Sequence, residues 1–254
     1  MSSTIEPDTG APRDHYSYSH YASRDVAEGF DALRFGGPIG QYLLECQQSL
    51  LRDALSPVRG RTVLDVGTGT GRAAIGLAQS GAAVIGVDAS PEMLRVARAK
   101  AADASVVVRV GLADAHALPF ATGSLDAVVC LRVLMHAIDW RTCVAELCRV
   151  ARWRVVVDFP SSSSTAALES GARRIAKSLG RNVEAYRVIA ERDVLTAFQA
   201  HGFRPVIVRR QFVLPIAFHK AIGRLGFTRS IERGLTAVGL SRIAGSPVTL
   251  VAER

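Results

Sequence analysis

The sequence has few lysines, no Cys-x-x-Cys pair and no long apolar run. The last two of these absences argue against whole classes of protein. No stretch of about 18 apolar residues occurs, which argues against a membrane-spanning helix. The four cysteines form no Cys-x-x-Cys pair, so neither a disulfide framework nor a metal site is predicted. The polar start of the chain lacks the apolar segment of a signal peptide, so we expect a flexible tail over residues 1–22 and a cytoplasmic protein.

Positive charge is carried almost wholly by arginine, because only Lys100, Lys177 and Lys220 are lysines in a chain of net charge +8. Between Phe203 and Arg254 there are nine basic residues and two acidic ones, so most of the excess lies at the end of the chain. Such a region can contact an anionic membrane or cover a hydrophobic substrate. Modification of nucleic acid is a weaker alternative that rests on charge alone.

Apolar runs rich in valine, isoleucine and leucine alternate with helical patterns along the chain. Seven runs are typical of strands: Thr62–Val66, Ala83–Val87, Ser105–Val110, Leu125–Leu131, Arg154–Phe159, Arg204–Leu214 and Pro247–Ala252. Continuous apolar strands separated by helices indicate a parallel sheet that is covered on both faces. We therefore predict an α/β fold, a Rossmann-like doubly wound sheet of seven mostly parallel strands with helices on both faces.

The length of the chain fits one domain with additions. The predicted domain covers residues 23–254, and its parts are N-terminal helices over 23–57, a cofactor-binding core over 61–160 and a substrate-side region over 161–254. A basic helical insertion is expected at about 214–242, between the last two strands. Its first helical pattern contains Leu214, Phe218, Ile222 and Leu225. Its second contains Ile231, Leu235 and Val238, with a stop at Gly239.

Three glycines at alternate positions follow the first strand in the stretch VLDVGTGTG, from Val63 to Gly71. They permit a sharp turn into a helix and let a ligand approach the backbone. Asp88 ends the next strand, 23 residues beyond Asp65, where a carboxylate can accept hydrogen bonds from both hydroxyls of a ribose. A dinucleotide fingerprint would need Gly or Ala where this sequence has Arg72, so the pattern favours an adenosine-like ligand without a pyrophosphate.

The segment D-V-G-T-G-T-G resembles motif I of the class I S-adenosylmethionine-dependent methyltransferases. The segments VIGVDASPEML, GLADAHALPF and SLDAVVCLRVLMHAIDW resemble the motifs that follow it, in order and at compatible spacing between Val63 and about Val150. Together they are similar to the small-molecule branch that includes ubiquinone and menaquinone methyltransferases, called methyltransferase type 11. The resemblance implies an antiparallel last strand and S-adenosyl-L-methionine as cofactor, with S-adenosyl-L-homocysteine as its product.

The resemblance also implies roles for individual residues. Asp88 would hold the ribose, Met93 would pack on the adenine, and Asp114 would accept a hydrogen bond from the adenine amine. The complete set of implied cofactor-binding residues is Tyr21, Asp65, Gly67, Thr68, Gly69, Gly71, Asp88, Ala89, Met93, Ala113, Asp114, Ala115, Leu131 and Arg132. The sequence lacks the family's L-K-P-G-G turn before the fifth strand, which leaves the register of that strand open.

Several residues have two interpretations at this point. Asp65 either contacts the cofactor or fixes the glycine loop by accepting hydrogen bonds. His136 is the candidate general base, with a packing role as the alternative. Arg34 can pair with the carboxylate of the cofactor or lie in solvent. Tyr16 and Tyr18 either fold over the cofactor as a lid or belong to the tail.

The predicted reaction is in-line transfer of a methyl group to a small-molecule or lipid-like acceptor, in which the enzyme mainly positions and desolvates the reactants. A nucleic-acid partner is not expected, and peripheral contact with a membrane is predicted through the basic C-terminal helices. Two alternatives stay open, a non-catalytic cofactor-binding or regulatory protein of the same fold and an NAD-dependent oxidoreductase. The pattern predicts neither the acceptor nor the oligomeric state.

Overall fold

A computed structural model describes residue 21, residues 23–167, residues 170, 171 and 173, and residues 186–254. The predicted tail up to residue 20, with Tyr16 and Tyr18, lies outside the described residues. Within the described ranges, no helix combines the length and the apolar character that crossing a membrane requires. All four cysteines carry free thiols, and Cys130, Cys143 and Cys148 are buried.

The strands of the sheet alternate with helices through the first part of the chain. They are β1 (Thr62–Val66), β2 (Ala83–Asp88), β3 (Val108–Leu112), β4 (Leu125–Cys130), β5 (Ala151–Phe159), β6 (Arg204–Phe212) and β7 (Ser246–Glu253). The helices of the described residues are α1 (Arg24–Phe35), α2 (Gly37–Leu55), α3 (Arg72–Gln79), α4 (Pro91–Asp103), α5 (Trp140–Val150), α6 (Glu191–Ala200), α7 (Ile216–Ile222), α8 (Leu225–Ala237) and α9 (Ser241–Ala244).

The described strands form one seven-stranded sheet in the order β3-β2-β1-β4-β5-β7-β6. Strands β1 to β5 pair in parallel, whereas β7 runs antiparallel to both β5 and β6. The chain therefore changes direction across the sheet between β1 and β4, and ligands of open parallel sheets bind at the carboxyl ends of strands beside such a point. This arrangement confirms the predicted fold class.

Both faces of the sheet are buried, which explains the unbroken apolar runs of its strands. Adjacent side chains of a strand point to opposite faces. In β1, Leu64 packs into a cluster that includes Val128 of β4, while Val63 packs into a second cluster that includes Leu55 and Leu77 of the helices on the other side. Full burial of each such side chain contributes about 1.5–3 kcal/mol, so the two helix layers fix the sheet in place.

Three strands begin at residues other than those predicted, and for β7 the difference is one residue, Ser246 in place of Pro247. Strand β3 starts at Val108, not at Ser105, because Ser105 has a φ of 54°, a left-handed conformation that belongs to the turn after α4. Strand β5 starts at Ala151 and not at Arg154, because α5 passes directly into it. The missing L-K-P-G-G turn is therefore replaced by a connection without a loop.

The predicted insertion consists of α7, α8 and α9 between β6 and β7, but its first helical pattern is not one helix. Gly223 adopts a left-handed conformation with a φ of 67°, which ends α7, and Leu225 begins α8. Leu214 precedes α7. Phe218 and Val238, which belong to the two predicted helical patterns, are exposed over 43% and 73% of their surface.

A buried His219–Glu232 pair joins α7 to α8. The imidazole Nε2 of His219 lies 2.8 Å from a carboxylate oxygen of Glu232, and Nδ1 lies 3.2 Å from the hydroxyl of Thr228. The same carboxylate accepts the backbone N–H groups of Val213 and Leu214, at 2.8 and 3.0 Å. One acidic side chain therefore attaches both helices to the end of β6.

Replacing this carboxylate is expected to destabilise the protein. The Glu232→Ala substitution leaves two backbone N–H groups and an imidazole without their buried partner, so the free energy of unfolding should fall by about 3 kcal/mol. Urea denaturation followed by circular dichroism measures this loss. The control Glu45→Ala, at an exposed position of α2, should change the value by less than about 0.5 kcal/mol. Equal effects of the two substitutions would contradict the anchoring role.

Candidate functional site

A cavity of about 520 Å³ lies at the carboxyl ends of β1, β2 and β4. The predicted site residues that line it are Tyr21, Gly67, Thr68, Gly69, Asp88, Ala89, Met93, Ala113, Asp114, Ala115, Leu131, Arg132 and His136. Two other predicted residues, Asp65 and Gly71, do not line it. Residues separated by more than a hundred positions thus meet at the edge of the sheet where the fold predicts a ligand.

The glycine loop between β1 and α3 leaves space for a ligand beside its backbone. Gly67 has a φ of 68°, and a Cβ added there would lie 2.1 Å from a methyl group of Val133. Gly69 has a φ of 54°, and a Cβ there would meet open space. Glycine is therefore required at both positions for backbone conformation, and at Gly69 its missing side chain leaves room at the cavity wall.

Asp65 lies beneath the glycine loop and not in the cavity. One of its carboxylate oxygens accepts a hydrogen bond from the hydroxyl of Thr68 at 2.7 Å, and the residue is only 2% exposed. Burial raises the pKa of its carboxyl to about 6, against lowering contributions from Thr68 and from the backbone of Ala74. Of the two interpretations, the geometry favours support of the loop over direct contact with a ligand.

Asp88 ties the glycine loop to the turn that follows β2. One of its carboxylate oxygens accepts the N–H of Gly69 at 2.8 Å, and the other accepts the N–H of Ser90 at 2.9 Å. Burial raises the pKa of this carboxyl, and the backbone hydrogen bonds oppose that shift. Each carboxylate oxygen can accept a second hydrogen bond, so Asp88 can hold the loop and still receive ligand hydroxyls.

Asp114 is held by a neighbouring histidine that the sequence analysis did not identify. Its carboxylate accepts the backbone N–H of His116 at 2.8 Å and lies 2.7 Å from Nδ1 of the same residue. The N–H of Asp139 points to Nε2 of His116 at 3.3 Å, which assigns the ring proton to Nδ1. His116 also lines the cavity, and it orients the predicted adenine-binding carboxylate.

Asp158, at the end of β5, is a second cavity residue that the sequence analysis missed. It is 3% exposed, and burial raises the pKa of its carboxyl. One of its carboxylate oxygens accepts the backbone N–H of Arg132, which has a φ of 64° at the exit of β4. Asp158 therefore fixes the turn that carries the predicted residues Leu131 and Arg132. The local signal that could have found it is the same as for Asp88, an acidic residue near the end of an apolar strand.

Arg72, the residue after the last glycine, lines the cavity with a partly unsatisfied guanidinium. The central carbon of this guanidinium, Cζ, lies 3.4 Å from the ring centroid of Phe35. Its Nε lies 3.4 Å from a carboxylate oxygen of Asp31. Among the described residues, its Nη1 is the one buried side-chain nitrogen or oxygen without a hydrogen-bond partner. Burial lowers the pKa of this group to about 10, so Arg72 remains a cation at neutral pH.

Helix α1 forms the roof of the cavity, and Asp31 fastens it to the sheet domain. The carboxylate of Asp31 accepts a hydrogen bond from the hydroxyl of Thr70 at 2.7 Å and also contacts Arg72 and Lys100. Phe30, one residue earlier, lines the cavity. The roof is therefore attached to the glycine loop and to α4, the same elements that would contact a nucleoside.

His136 and Tyr21 meet above the exit of β4. Their ring centroids lie 6.2 Å apart in an edge-on arrangement, and the backbone carbonyl of Tyr21 accepts the hydroxyl of Ser90 at 2.6 Å. The hydroxyl of Tyr21 lies 3.4 Å from the guanidinium of Arg34. His136 is 9% exposed, so its ring is a wall of the cavity, and its role as a general base stays a prediction.

The polar groups of the cavity suit a nucleoside with an amino-acid group better than they suit a diphosphate. A glycine cradle with open space beside it accommodates the nucleoside, and Asp88 and Asp114 supply acceptors for hydroxyl and amine groups. The orphaned Nη1 of Arg72 supplies a donor for a carboxylate. The residues therefore fit the predicted cofactor. Within the described part of the chain, no cluster of three or more His, Cys, Asp or Glu residues is arranged to hold a metal ion.

Comparison with known proteins supports the same interpretation. A family model described as a methyltransferase domain matches residues 64–154. The demethylmenaquinone methyltransferase of Clavibacter sepedonicus is 31% identical over 191 residues, which cover 68% of this chain and 78% of that protein. An uncharacterised protein of Mycobacterium tuberculosis is 43% identical over 94 residues, which cover 37% of this chain and 34% of that one. This chain thus matches about a third of the length of the first curated relatives.

A solved structure is similar over almost the whole chain. Magnesium protoporphyrin IX methyltransferase from Synechocystis PCC 6803, with bound S-adenosylhomocysteine, aligns with a TM-score of 0.66 at 18% identity. The alignment covers 94% of this chain and 97% of that one. At this identity the likeness establishes the fold.

The buried carboxyl of Asp65 should make stability depend on pH. Its pKa is raised from 3.8 to about 6 on folding, so the stabilising contribution of the neutral acid is present below about pH 4 and is lost as the pH rises through 6. The Asp65→Asn variant does not titrate. Its free energy of unfolding, relative to the wild type, should therefore rise by about 3 kcal/mol between about pH 4 and pH 7.

Urea denaturation of both proteins at the two pH values measures this change. Asp103→Asn, at an exposed position near the end of α4, serves as the control and should show no such pH-dependent difference. A difference for Asp65→Asn that stays constant with pH would contradict the raised pKa.

Proposed function

Because the chain belongs to the class I S-adenosylmethionine-dependent methyltransferases, we propose that it transfers the methyl group of S-adenosyl-L-methionine to a small-molecule or lipid-like acceptor. The family and the cofactor are those predicted from the sequence, and the dinucleotide alternative receives no support. The observation that carries the proposal is that the glycine loop, Asp88 and Arg72, whose Nη1 has no hydrogen-bond partner, line the same cavity.

The residues of the cavity have separate tasks in binding the cofactor. Asp88 would accept the ribose hydroxyls, Asp114 would accept the adenine amine, and Met93 would pack against the adenine. Arg72 would donate from Nη1 to the carboxylate of the methionine moiety, because a buried N–H group without a partner is stabilised by an acceptor. When bound, S-adenosylmethionine supplies a methyl group that its sulfonium already activates.

The remaining task of the protein is to position the acceptor and exclude water. Phe30 and Tyr21 cover the cavity from the side of α1, and their rings contact each other at a centroid distance of 6.1 Å. Holding the methyl donor and the acceptor in line can account for a large part of the rate increase that an enzyme gives over the uncatalysed reaction. Where the acceptor must lose a proton, a ring nitrogen of His136 is our candidate to receive it, since this ring lines the cavity.

We place a small or lipid-like acceptor at the part of the cavity that is lined by the N-terminal helices and the insertion, the acceptor end. Its apolar side chains include Leu33, Leu43, Leu214 and Ile216. The relative from Clavibacter sepedonicus is named for demethylmenaquinone, and the solved structure from Synechocystis is named for magnesium protoporphyrin IX. Both names describe largely apolar acceptors of low molecular weight, which supports this choice of substrate class.

A pair of substitutions and a pair of ligands test the proposed site. S-adenosylhomocysteine contains the amino-acid carboxylate, whereas methylthioadenosine lacks it. The Arg72→Gln variant should bind S-adenosylhomocysteine about 10- to 100-fold more weakly and methylthioadenosine almost as tightly as the wild type. The Asp88→Asn variant should lose affinity for both ligands, because the ribose is common to them. Isothermal titration calorimetry gives the four affinities.

Binding to the wild type decides the outcome. If neither ligand binds the folded wild-type protein while NADH does, the methyltransferase proposal fails. If Arg72→Gln weakens both ligands equally, the cofactor is bound but its carboxylate is not held by Arg72. Isotope-labelled S-adenosylmethionine, offered with a panel of apolar acceptors, then tests transfer and separates an enzyme from a non-catalytic binding protein.

Peripheral contact with an anionic membrane is a second proposal, and the surface of the insertion supports it. Phe218 and Phe227 are exposed with their ring centroids 6.3 Å apart, and Leu33 beside α7 is 78% exposed. Exposed basic residues of the same helices are Arg224, Arg229, Arg233 and Arg242. Apolar side chains flanked by arginine are typical of helices that lie on anionic lipid. Leu33 also lines the cavity, so a lipid-like acceptor would enter from the bound membrane.

Vesicle co-sedimentation tests this contact. The wild type should bind phosphatidylglycerol vesicles, and the double variant Phe218→Ser/Phe227→Ser should bind them about tenfold more weakly, because it loses the apolar part of the surface. Val107→Ser, which replaces an exposed apolar residue before β3, is the control and should bind as the wild type does. Equal binding to phosphatidylcholine and phosphatidylglycerol, or no effect of the double substitution, would refute membrane contact.

A further inference from the structure

The carboxylate of Asp158 faces the cavity with one oxygen that the fold does not use. Asp158 is 3% exposed, and its first oxygen accepts the backbone N–H of Arg132. Among the described residues, no other group donates a hydrogen bond to this carboxylate. The second oxygen still keeps an accessible surface, because Nη1 of Arg72 is the one fully buried side-chain nitrogen or oxygen of those residues without a partner. Asp158 lines the cavity, so this surface faces the space that a ligand would occupy.

The position of Asp158 in the sheet places it at the acceptor end. Asp88 lies at the end of β2, and the strand order β2-β1-β4-β5 puts β5 three strand spacings away from it. At about 4.8 Å for each spacing, the two carboxylates are separated by roughly 14 Å across the sheet. Asp158 also lines a smaller cavity of about 50 Å³, together with Phe35, Leu43 and Ile216 of the N-terminal helices and the insertion.

The surroundings of Asp158 favour a ligand that donates a hydrogen bond. Burial raises the pKa of its carboxyl, and the positive charges of Arg132 and Arg72 oppose this rise. The guanidinium of Arg72 is itself paired with Asp31, since its Nε lies 3.4 Å from that carboxylate. A buried carboxylate that has unfilled acceptor positions is stabilised by a further donor, and hydrogen bonds to a charged group are the stronger ones.

The rest of the acceptor end limits the body of the ligand. Its apolar side chains include Leu43, Leu214 and Ile216, which suit a largely apolar molecule. We propose that the methyl acceptor carries a hydroxyl or N–H group and that the second carboxylate oxygen of Asp158 accepts a hydrogen bond from this group. The contact orients the acceptor toward the methyl donor. Its identity as the acceptor rests on the proposed methyltransferase function, whereas the hydrogen bond can be measured with ligands alone.

Three ligands of similar size test the site: 1-naphthol, 1-naphthylamine and 1-methoxynaphthalene. The first two have a hydrogen-bond donor, and the ether has none. Calorimetric titration of the wild type, with and without S-adenosylhomocysteine, should show at least one of the two donors bound about tenfold or more tightly than the ether. Naphthol and naphthylamine distinguish a hydroxyl site from an N–H site. Equal affinity for all three ligands, or no binding of either donor, would overturn the proposal.

A variant separates recognition of the ligand from support of the turn. In Asp158→Asn, the side-chain carbonyl can still accept the N–H of Arg132, while the NH₂ group puts a donor where the wild type has an acceptor. The preference for the donor ligands over the ether should fall to about twofold or less. Asp103→Asn, at an exposed position of α4, should keep the preference of the wild type. If Asp158→Asn weakens the donors and the ether equally, Asp158 only fixes the turn and the proposal fails.

Titration with the cofactor product excludes a different partner for Asp158, the ammonium group of the cofactor. S-adenosylhomocysteine contains this group, and methylthioadenosine lacks it. Both ligands should bind the wild type and Asp158→Asn with equal affinity, because Asp158 is placed with the acceptor. If Asp158→Asn weakens S-adenosylhomocysteine and not methylthioadenosine, the carboxylate holds the cofactor and the proposal fails.

The same titrations distinguish this failure from a failure of the proposed function. A wild type that prefers the donor ligands but does not bind S-adenosylhomocysteine would retain the hydrogen-bond site at Asp158 and lose the methyltransferase assignment. A wild type that binds S-adenosylhomocysteine but shows no preference among the three ligands would retain the assignment and remove the proposed role of Asp158.

Discussion

The carboxylate of Asp88 accepts one hydrogen bond from the glycine loop and another from the turn that begins α4. Two neighbouring parallel strands, β1 and β2, are thereby joined at their carboxyl ends as well as along their length. The cavity depends on this connection, because its floor consists of these two loops and the exit of β4. A residue predicted to bind a ribose therefore also builds the surface on which the nucleoside would lie, and its two backbone contacts orient its remaining acceptor positions.

The two ends of the cavity follow different physical rules. At the cofactor end, strand termini and the loops that follow them form the floor, so much of its shape is set by the sheet. At the acceptor end, α1, α2 and the insertion supply side chains from three separate parts of the chain. These walls are attached through individual side chains, such as Lys220 on the last turn of α1 and Glu232 beneath Leu214. Substitutions there can change acceptor choice while leaving cofactor binding intact.

Local signals were enough to predict the fold and many of the residues that the structure brings together in the cavity. The glycine loop, Asp88 and the alternation of strands with helices each act within a few residues, so the sequence pattern contains them. The roles of Asp158 and Arg72 were missed for a physical reason, since they arise from neighbours distant in sequence or from an unsatisfied nitrogen that only packing reveals. The break at Gly223 was missed because Leu214, Phe218, Ile222 and Leu225 keep helical spacing across it.

The same reasoning explains why the acceptor could not be predicted from the motifs. The spacing of a motif records the shape of the cofactor, which all members of a family share, whereas the acceptor end is assembled from helices that carry no motif. The side chains that line the acceptor end instead show which chemical groups an acceptor would meet. Here the N-terminal helices and the insertion add mostly apolar side chains to a wall that also carries cations and carboxylates. The helices that carry no motif therefore restrict the polarity of the substrate more closely than the family does.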